Sequence, residues 1–161
     1  MKKCFIMQGI AGSGKDRWIR LNTDKLGLGP VTVVSADDFF MVQNPKKYRD
    51  GRRGEDELIY QFDPAKIGDA HKDCMKRFLR AVAEDVPTVV VNNTNCCAWE
   101  LSPYMAVALV FDYDVEIIRV VASVEDCIAR NVHGVPAATI MAMHERMQRE
   151  VLPPHWRLTK V

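Results

Sequence analysis

The chain has 161 residues, of which 48% are apolar and 27% are charged, and its formal net charge is +1. This length and composition predict one globular domain, residues 1–161, with a sizeable buried core. The nearly neutral charge excludes a basic coat over the whole surface, but it is compatible with a local basic groove. No stretch approaches the roughly 20 apolar residues that cross a bilayer, so we expect no membrane partner and no signal peptide.

The five cysteines are odd in number, two of them are adjacent, and none forms a C-x-x-C pair. This pattern predicts neither a disulfide framework nor a zinc site. Reduced and mostly buried thiols in a cytoplasmic protein are therefore expected for Cys4, Cys74, Cys96, Cys97 and Cys127.

Residues 9–16 form a glycine-rich turn with the sequence Gly-Ile-Ala-Gly-Ser-Gly-Lys-Asp. An apolar run, residues 4–8, precedes this turn as a predicted strand, and a predicted helix follows it. In this setting the pattern G-x-x-x-x-G-K predicts a phosphate-binding loop, because backbone amides, a helix N-terminus and a lysine meet there. The predicted nucleotide-binding residues are Gly9, Ala11, Gly12, Ser13, Gly14, Lys15 and Asp16.

The first helix is predicted from Asp16 to about Leu26, where Gly27 and Gly29-Pro30 end it. Val31–Ser35 is a predicted second strand, and the strand–helix–strand order implies a parallel pair with a right-handed crossover. Since parallel sheets place their ligand groups beyond the carboxyl ends of the strands, the segment Ala36–Phe40 is expected beside the phosphate loop.

An irregular insertion is predicted from about Met41 to Phe62, and such long loops in compact domains are usually functional or mobile. It carries a basic run that fits a solvated loop, but beside a kinase site it could also hold the phosphates of a polyanionic acceptor. The basic residues are Lys46, Lys47, Arg49, Arg52 and Arg53.

The rest of the chain alternates predicted helices and short strands, which is typical of a three-layer α/β domain with a parallel sheet flanked by helices. In chain order we expect a helix from Asp63-Pro64 to about Ala83, a strand at Pro87–Asn92, a helix at Ala98–Val110 with Pro103 in its first turn or breaking it, a strand at Val115–Val121, a helix at Val124–Arg130, a turn, a helix from Ala137 to about Glu150, and a short strand or packed tail at Trp156–Leu158.

Phosphoryl transfer to a hydroxyl requires groups that hold the donor phosphates, a bridging metal, and a carboxylate that orients or deprotonates the acceptor. Asp37 is the first candidate for this carboxylate, with Asp38 as its competitor and a turn or capping role as the alternative. Arg130 is a candidate lid cation, and the alternative is a surface arginine at a helix C-terminus. His71 is interpreted as a structural histidine, and His133 as a solvated histidine in a turn.

The motifs G-I-A-G-S-G-K, S-A-D-D-F-F, Y-Q-F-D-P, N-N-T-N and R-N-V-H-G-V-P occur in this order along most of the chain. Together they resemble the polynucleotide-kinase-like branch of the P-loop kinases, which includes the bacteriophage polynucleotide kinase domain. The resemblance implies a P-loop kinase fold, ATP (or GTP) with Mg²⁺ as cofactors, and DNA or RNA as the acceptor. It implies Asp37 as general base, Lys15 and Arg130 on the phosphates, and residues 93–95 on the acceptor side.

Three departures from the branch affect the expected site. Asp16 replaces the hydroxyl residue that binds Mg²⁺, Asn93 replaces an aspartate, and Phe39 or Phe40 occupies the region of an acceptor-binding arginine. A carboxylate beside a triphosphate costs about 3 kcal/mol at ~5 Å and an effective dielectric of ~20, unless a metal lies between them. Asp16 is therefore predicted to be a metal ligand, because carboxylates bind hard cations.

The sequence thus predicts an ATP-dependent kinase for a hydroxyl on nucleic acid, most simply a 5′-end. A kinase for a modified base such as 5-hydroxymethyluracil in DNA is the closest alternative, and a nucleotide-binding module with little or no catalysis is a third. The predicted acceptor-binding residues are Asp38, Phe40, Arg52, Arg53, Asn93, Thr94 and Asn95.

Overall fold

The computed structural model describes residues 1–22, 31–43 and 58–161. In this part of the chain a five-stranded parallel sheet is accompanied by a separate two-stranded antiparallel hairpin. The strands are β1 (Lys3–Gln8), β2 (Val31–Val34), β3 (Met41–Gln43), β4 (Leu58–Tyr60), β5 (Thr88–Val91), β6 (Asp114–Arg119) and β7 (Leu158–Lys160). The helices are α1 (Lys15–Asn22), α2 (Ile67–Ala83), α3 (Ala98–Val110), α4 (Val124–Arg130) and α5 (Ala137–Arg149).

The sheet has the strand order β2-β5-β1-β6-β7. The prediction that β1 and β2 form a parallel pair is therefore wrong in one respect: the two strands are parallel, but β5 lies between them. The reason is burial, because all four residues of β5 are buried and need a neighbour on each side. Strand β2 exposes Val33 and is suited to an edge.

Alternate residues of β1 face two different helical layers. Cys4 and Ile6 belong to the core formed with α2 and α3, whereas Phe5 and Met7 pack with Ile19 of α1. This alternation follows from the two-residue period of a strand, and it produces the predicted three-layer α/β arrangement.

A third apolar cluster lies under the loop end of the sheet. It contains Ile10, Cys127 and two residues of α5, and it joins α4 and α5 to the segment that precedes α3. All five cysteines are buried and free, as expected from their spacing. Among the residues described, we find no helix that is both long and apolar enough to cross a membrane.

Several predicted boundaries changed in the structure. The predicted insertion contains the antiparallel pair β3 and β4. The basic residues 46–53 of the insertion and the predicted end of α1 at residues 26–30 lie outside the described residues. Pro103 neither breaks α3 nor lies in its first turn but is accommodated in the second turn. Trp156–Leu158 leads into β7, which extends the sheet beside β6.

Candidate active site

The phosphate loop joins β1 to α1 and has a backbone that requires glycine at two positions. Gly12 and Gly14 have φ angles of +80° and +100°, a region that other L-residues rarely adopt. A Cβ atom added at Gly12 would lie 2.2 Å from the carbonyl oxygen of Cys127. The backbone of α4 therefore rests directly on the loop, and only glycine permits this approach.

Buried polar side chains anchor the loop from below. The Gly9 N–H donates to the Thr94 carbonyl oxygen at 2.9 Å, and Asn95 Nδ2 donates to the Met7 carbonyl oxygen at 2.8 Å. Gln8 is fully buried, donates through Nε2 to the Asn95 carbonyl oxygen, and accepts from Arg119 Nε at 2.6 Å. The strand end, the loop and the segment after β5 are thus fixed by hydrogen bonds that water does not reach.

Two of the asparagines expected to contact the acceptor are instead part of this scaffold. Asn93 is only 7% exposed and Asn95 only 2%. Asn93 Oδ1 accepts from the Ala36 N–H at 2.8 Å and thereby holds the chain as it leaves β2. Asn93 Nδ2 donates to Cys74 Sγ at 3.5 Å, and Asn95 Nδ2 is bonded to the backbone, so both amides are engaged inside the protein, which differs from the prediction; Thr94 between them is partly exposed.

Lys15 begins α1 and folds back across the loop. Its Nζ donates to the carbonyl oxygens of Gly9 at 2.9 Å and Ile10 at 3.2 Å. Burial lowers the pKa of Lys15, and the nearby charges of Asp16 and Asp37 oppose this shift. The ammonium group therefore lies within electrostatic reach of both carboxylates.

Asp16 is exposed in the first turn of α1, and its Oδ1 accepts from Asn92 Nδ2 at 2.6 Å. Asn92 follows β5 directly, and its own Oδ1 is buried without a hydrogen-bond partner among the described residues. The Asn92 amide nitrogen and a carboxylate oxygen of Asp16 thus meet at the start of α1, and carboxylate and amide oxygens are the ligands that a hard divalent cation prefers. The described residues contain no group of three or more His, Cys, Asp or Glu side chains suited to a metal ion.

The two adjacent aspartates after β2 have different surroundings. Ser35 caps a 3₁₀ helix at Ala36–Phe40: its Oγ accepts from the Asp37 N–H, and Asp38 Oδ2 accepts from the Ser35 N–H, both at 3.2 Å. This capping box engages Asp38 Oδ2, whereas the Asp37 side chain takes no part in the cap. The Asp38 side chain is 53% exposed, and its role in acceptor binding stays a prediction.

Arg77 of α2 completes the support of the 3₁₀ helix and was not singled out from the sequence. Its Nη1 donates to Asp38 Oδ2 at 2.7 Å, its Nη2 to the Ser35 carbonyl oxygen at 2.6 Å, and its Nε to Asp73 Oδ2 at 2.8 Å. Asp38 therefore has two fixed partners. The only signal in the sequence was the i,i+4 pair of Asp73 and Arg77 on the predicted helix.

An aromatic cluster lies beside Asp37, on the hairpin. Phe40 is 4% exposed and makes edge contacts with the rings of Phe39, Tyr60 and Phe62. Its predicted contact with an acceptor is therefore replaced by a packing role, while Phe39 and Phe62 are exposed. Tyr60 reaches Asp37 with its hydroxyl, a contact that sequence reasoning missed because the two residues are 23 positions apart.

The turn after α4 brings a histidine to this cluster. The His133 ring lies 4.4 Å from the Tyr60 ring, centroid to centroid. Arg130 ends α4 one turn beyond Cys127, with its Nη2 3.4 Å from Asp126 Oδ2 and its side chain 56% exposed. Arg52 and Arg53 lie outside the described residues. His71 is exposed, which contradicts its interpretation as a structural histidine.

A family model described as an AAA domain (AAA_33) matches residues 5–150. The chain belongs to this AAA domain family. Human NEDD4-binding protein 2 is 30% identical to it over 154 residues, which are 92% of the chain but 8% of that protein. The chain thus spans less than a tenth of this relative's length.

Solved structures resemble this AAA domain in fold. Pnkp1 in the Pnkp1/Rnl/Hen1 RNA repair complex matches with a TM-score of 0.64 at 17% identity, over 91% of the chain and 44% of that chain. The APS kinase CysC of Mycobacterium tuberculosis, in complex with AMPPNP and APS, matches with a TM-score of 0.54 at 16% identity, over 99% and 88%. The predicted P-loop kinase fold is confirmed.

The loop of this AAA domain fits a nucleotide tail. Its glycines leave the backbone close to α4, its lysine lies over the loop, and the amides of a helix N-terminus follow. On the opposite side Asp37 supplies a carboxylate that is not needed for capping. Together these groups can hold a phosphate chain and accept a proton beside it.

Proposed function

We propose that residues 1–161 form one phosphotransferase domain of the polynucleotide-kinase-like branch, which transfers the γ-phosphate of ATP or GTP to a hydroxyl on nucleic acid. The observation that carries the proposal is the division of work between Asp37 and Asp38. Asp38 is bonded to Ser35 and Arg77, which leaves the Asp37 carboxylate available within electrostatic reach of Lys15. A carboxylate at this position suits the task of accepting the proton of an incoming hydroxyl.

The reaction follows from these positions. Loop amides and Lys15 bind the donor phosphates, and the acceptor hydroxyl approaches the γ-phosphorus from the side of Asp37. As the new oxygen–phosphorus bond forms, the bond from phosphorus to the leaving diphosphate oxygen breaks, and the acceptor proton passes to Asp37. Arg130 ends the helix that rests on Gly12, and we propose that it neutralises charge on the transferring group.

Asp16 and Asn92 are the residues that would hold Mg²⁺. Asn92 Nδ2 donates to Asp16 Oδ1 at the start of α1, and the buried Asn92 Oδ1 would gain a partner in the metal. The metal would neutralise phosphate charge that otherwise repels Asp16. In P-loop enzymes a hydroxyl of the loop and a carboxylate that follows a strand commonly bind the metal together. In this chain the carboxylate would be that of Asp16 on helix α1, and the group that follows strand β5 is the amide of Asn92.

Nucleic acid as the acceptor is supported by the series of motifs and by the likeness to Pnkp1 of an RNA repair complex. The basic residues Arg52 and Arg53 and the partly exposed Thr94 would contact the acceptor strand. The exposed rings of Phe39 and Phe62 favour a base as well as a backbone, because any base can stack on an aromatic face. This feature keeps a modified base in DNA as the second candidate acceptor.

The test is transfer of label from γ-labelled ATP in the presence of Mg²⁺. The acceptors are 5′-hydroxyl DNA, 5′-hydroxyl RNA, duplex DNA containing 5-hydroxymethyluracil, and nucleosides. We expect labelling of a 5′-end, with Asp37→Asn lowering kcat by about 10²–10⁴-fold and Asp38→Asn lowering it much less.

Labelling of the modified base alone would select the second candidate. Tight binding of ATP with no transfer to any acceptor would select a nucleotide-binding module. Equal losses in the two aspartate variants would contradict the assignment of Asp37.

A further inference from the structure

Tyr60 ends the hairpin strand β4 and reaches the 3₁₀ helix that follows β2. Its hydroxyl donates a hydrogen bond to Asp37 Oδ1 at 3.1 Å. This contact joins two segments that are 23 residues apart, at the carboxylate on which the proposed reaction depends. The hydrogen bond takes one of the two carboxylate oxygens and leaves Oδ2 for an acceptor proton.

The ring of Tyr60 is held on more than one side, so the hydroxyl has a defined position. Phe40 makes an edge contact with it at 6.1 Å, and the His133 ring lies 4.4 Å away. Phe40 is buried and belongs to the same 3₁₀ helix as Asp37. His133 belongs to the turn that follows Arg130, so Tyr60 also lies between the carboxylate and that turn.

The hydroxyl keeps its proton in this position. Burial, followed by the charge of Asp37 and the hydrogen bond to it, raises the pKa of Tyr60 to about 12. The phenol is therefore a donor throughout the neutral range and cannot itself take a proton from an acceptor. These facts exclude Tyr60 as a second general base and leave it the task of holding Asp37.

We propose that Tyr60 is a positioning residue that orients Asp37 through Oδ1 and presents Oδ2 to the acceptor hydroxyl. The inference rests on the proposed phosphotransferase function for its catalytic consequence. The contact itself exists in the unliganded chain and is open to measurement without turnover. Since misplacement of a catalytic group by about 1 Å lowers rates strongly, loss of the hydroxyl should appear in kcat.

The kinetic test compares Tyr60→Phe with Tyr113→Phe in the full chain. Tyr60→Phe keeps the ring contacts and removes only the hydroxyl, and we expect kcat to fall about tenfold with KM for ATP unchanged. Tyr113 also donates one hydrogen bond, to the Val86 carbonyl oxygen at 2.7 Å. This contact lies at the amino ends of β5 and β6, whereas the candidate site lies at the carboxyl ends of the strands. Tyr113→Phe should leave kcat unchanged, and an unchanged kcat in Tyr60→Phe would overturn the proposal.

The second measurement needs no enzymatic activity. Tyrosines labelled with ¹³C at Cζ are titrated by NMR in the wild-type chain and in Asp37→Asn, and the Tyr60 signal is assigned from its loss in Tyr60→Phe. We expect the Asp37→Asn change to lower the pKa of Tyr60, because the neighbouring negative charge is removed. A Tyr60 signal that is insensitive to this change would show that the contact is absent and would overturn the proposal, whatever the kinase assays give. If the shift is seen but no acceptor is phosphorylated, the proposed function fails while Tyr60 still holds Asp37.

Discussion

The two sides of the candidate site are built in different ways. On the nucleotide side, the loop is fixed by left-handed glycines and buried hydrogen bonds, and α4 packs on its backbone. On the proposed acceptor side, the 3₁₀ helix that carries Asp37 is fixed by partly exposed side chains: Tyr60 bonds Asp37 itself, and Arg77 bonds Ser35 and Asp38. Backbone amides can bind any phosphate chain, whereas contacts made by side chains can differ from one acceptor to another. This difference means that the proposed acceptor side is held by contacts between residues distant in sequence.

The aspartates next to each other show the same contrast within two residues. Asp38 belongs to the frame, since it caps the 3₁₀ helix and pairs with Arg77, whereas Asp37 is held by a single hydroxyl and remains available. Asp37 and Asp38 thus have different contacts because their neighbours differ, although their side chains are identical. Three substitutions test the difference between the two sides of the site, and they are given in order of decreasing expected effect.

The largest effect is expected for Gly12→Ala on the nucleotide side. Alanine would have to adopt a left-handed φ, and its Cβ would collide with the Cys127 carbonyl oxygen. We expect a loss of about 3 kcal/mol in the free energy of unfolding, measured by urea denaturation, together with loss of ATP binding. Gly134→Ala is the control, because its φ is +67° but nothing lies within 4 Å of an added Cβ. A cost no greater than that of the control would contradict the packing of α4 on the loop.

Asp16→Ser tests whether the nucleotide side depends on metal. Removal of the carboxylate should strengthen ATP binding without Mg²⁺ by about tenfold or more, since a like-charge repulsion of up to about 3 kcal/mol disappears. In the presence of Mg²⁺ the gain should shrink or reverse. Titration calorimetry with and without Mg²⁺ measures both effects, and Asn92→Ala is the control that keeps the charge. No gain in metal-free buffer would show that the repulsion argument is wrong.

The smallest effect is expected for Arg77→Ala on the acceptor side. The Arg77 side chain is 31% exposed, so solvent screens its ion pairs, and we expect a loss of about 1 kcal/mol in the free energy of unfolding. Because the 3₁₀ helix loses its support, kcat should fall several-fold while KM for ATP stays unchanged. Arg80→Ala, on the exposed surface of α2, is the control for loss of one positive charge. A change in ATP affinity as large as that in kcat would mean that the two sides are not separable.

The accuracy of the sequence predictions followed the range of the interactions involved. The helical start at Asp63-Pro64 and helix α4 were predicted correctly because their signals lie within a few residues: Asp63 caps a short 3₁₀ turn, Pro64–Lys66, that leads into α2, and Ser123 caps α4. The order of the sheet was not predicted correctly, because the strand beside β1 is the fully buried β5 and not β2. Asn93 and Asn95 carry no local sign that they are buried scaffold, since their partners belong to segments distant in sequence: the Ala36 N–H, Cys74 Sγ and the Met7 carbonyl oxygen.

The sequence by itself determined the phosphate loop, the alternation of helices and strands, and hence the family of folds. These depend on glycine, lysine and apolar residues at short spacing, where local backbone geometry decides. The contacts that depend on the tertiary structure are those of Asp38 with Arg77, of Asp37 with Tyr60 and of Asp16 with Asn92. Those outcomes required the sheet to bring the ends of separate strands to one edge, because hydrogen bonds act over about 3 Å irrespective of separation along the chain.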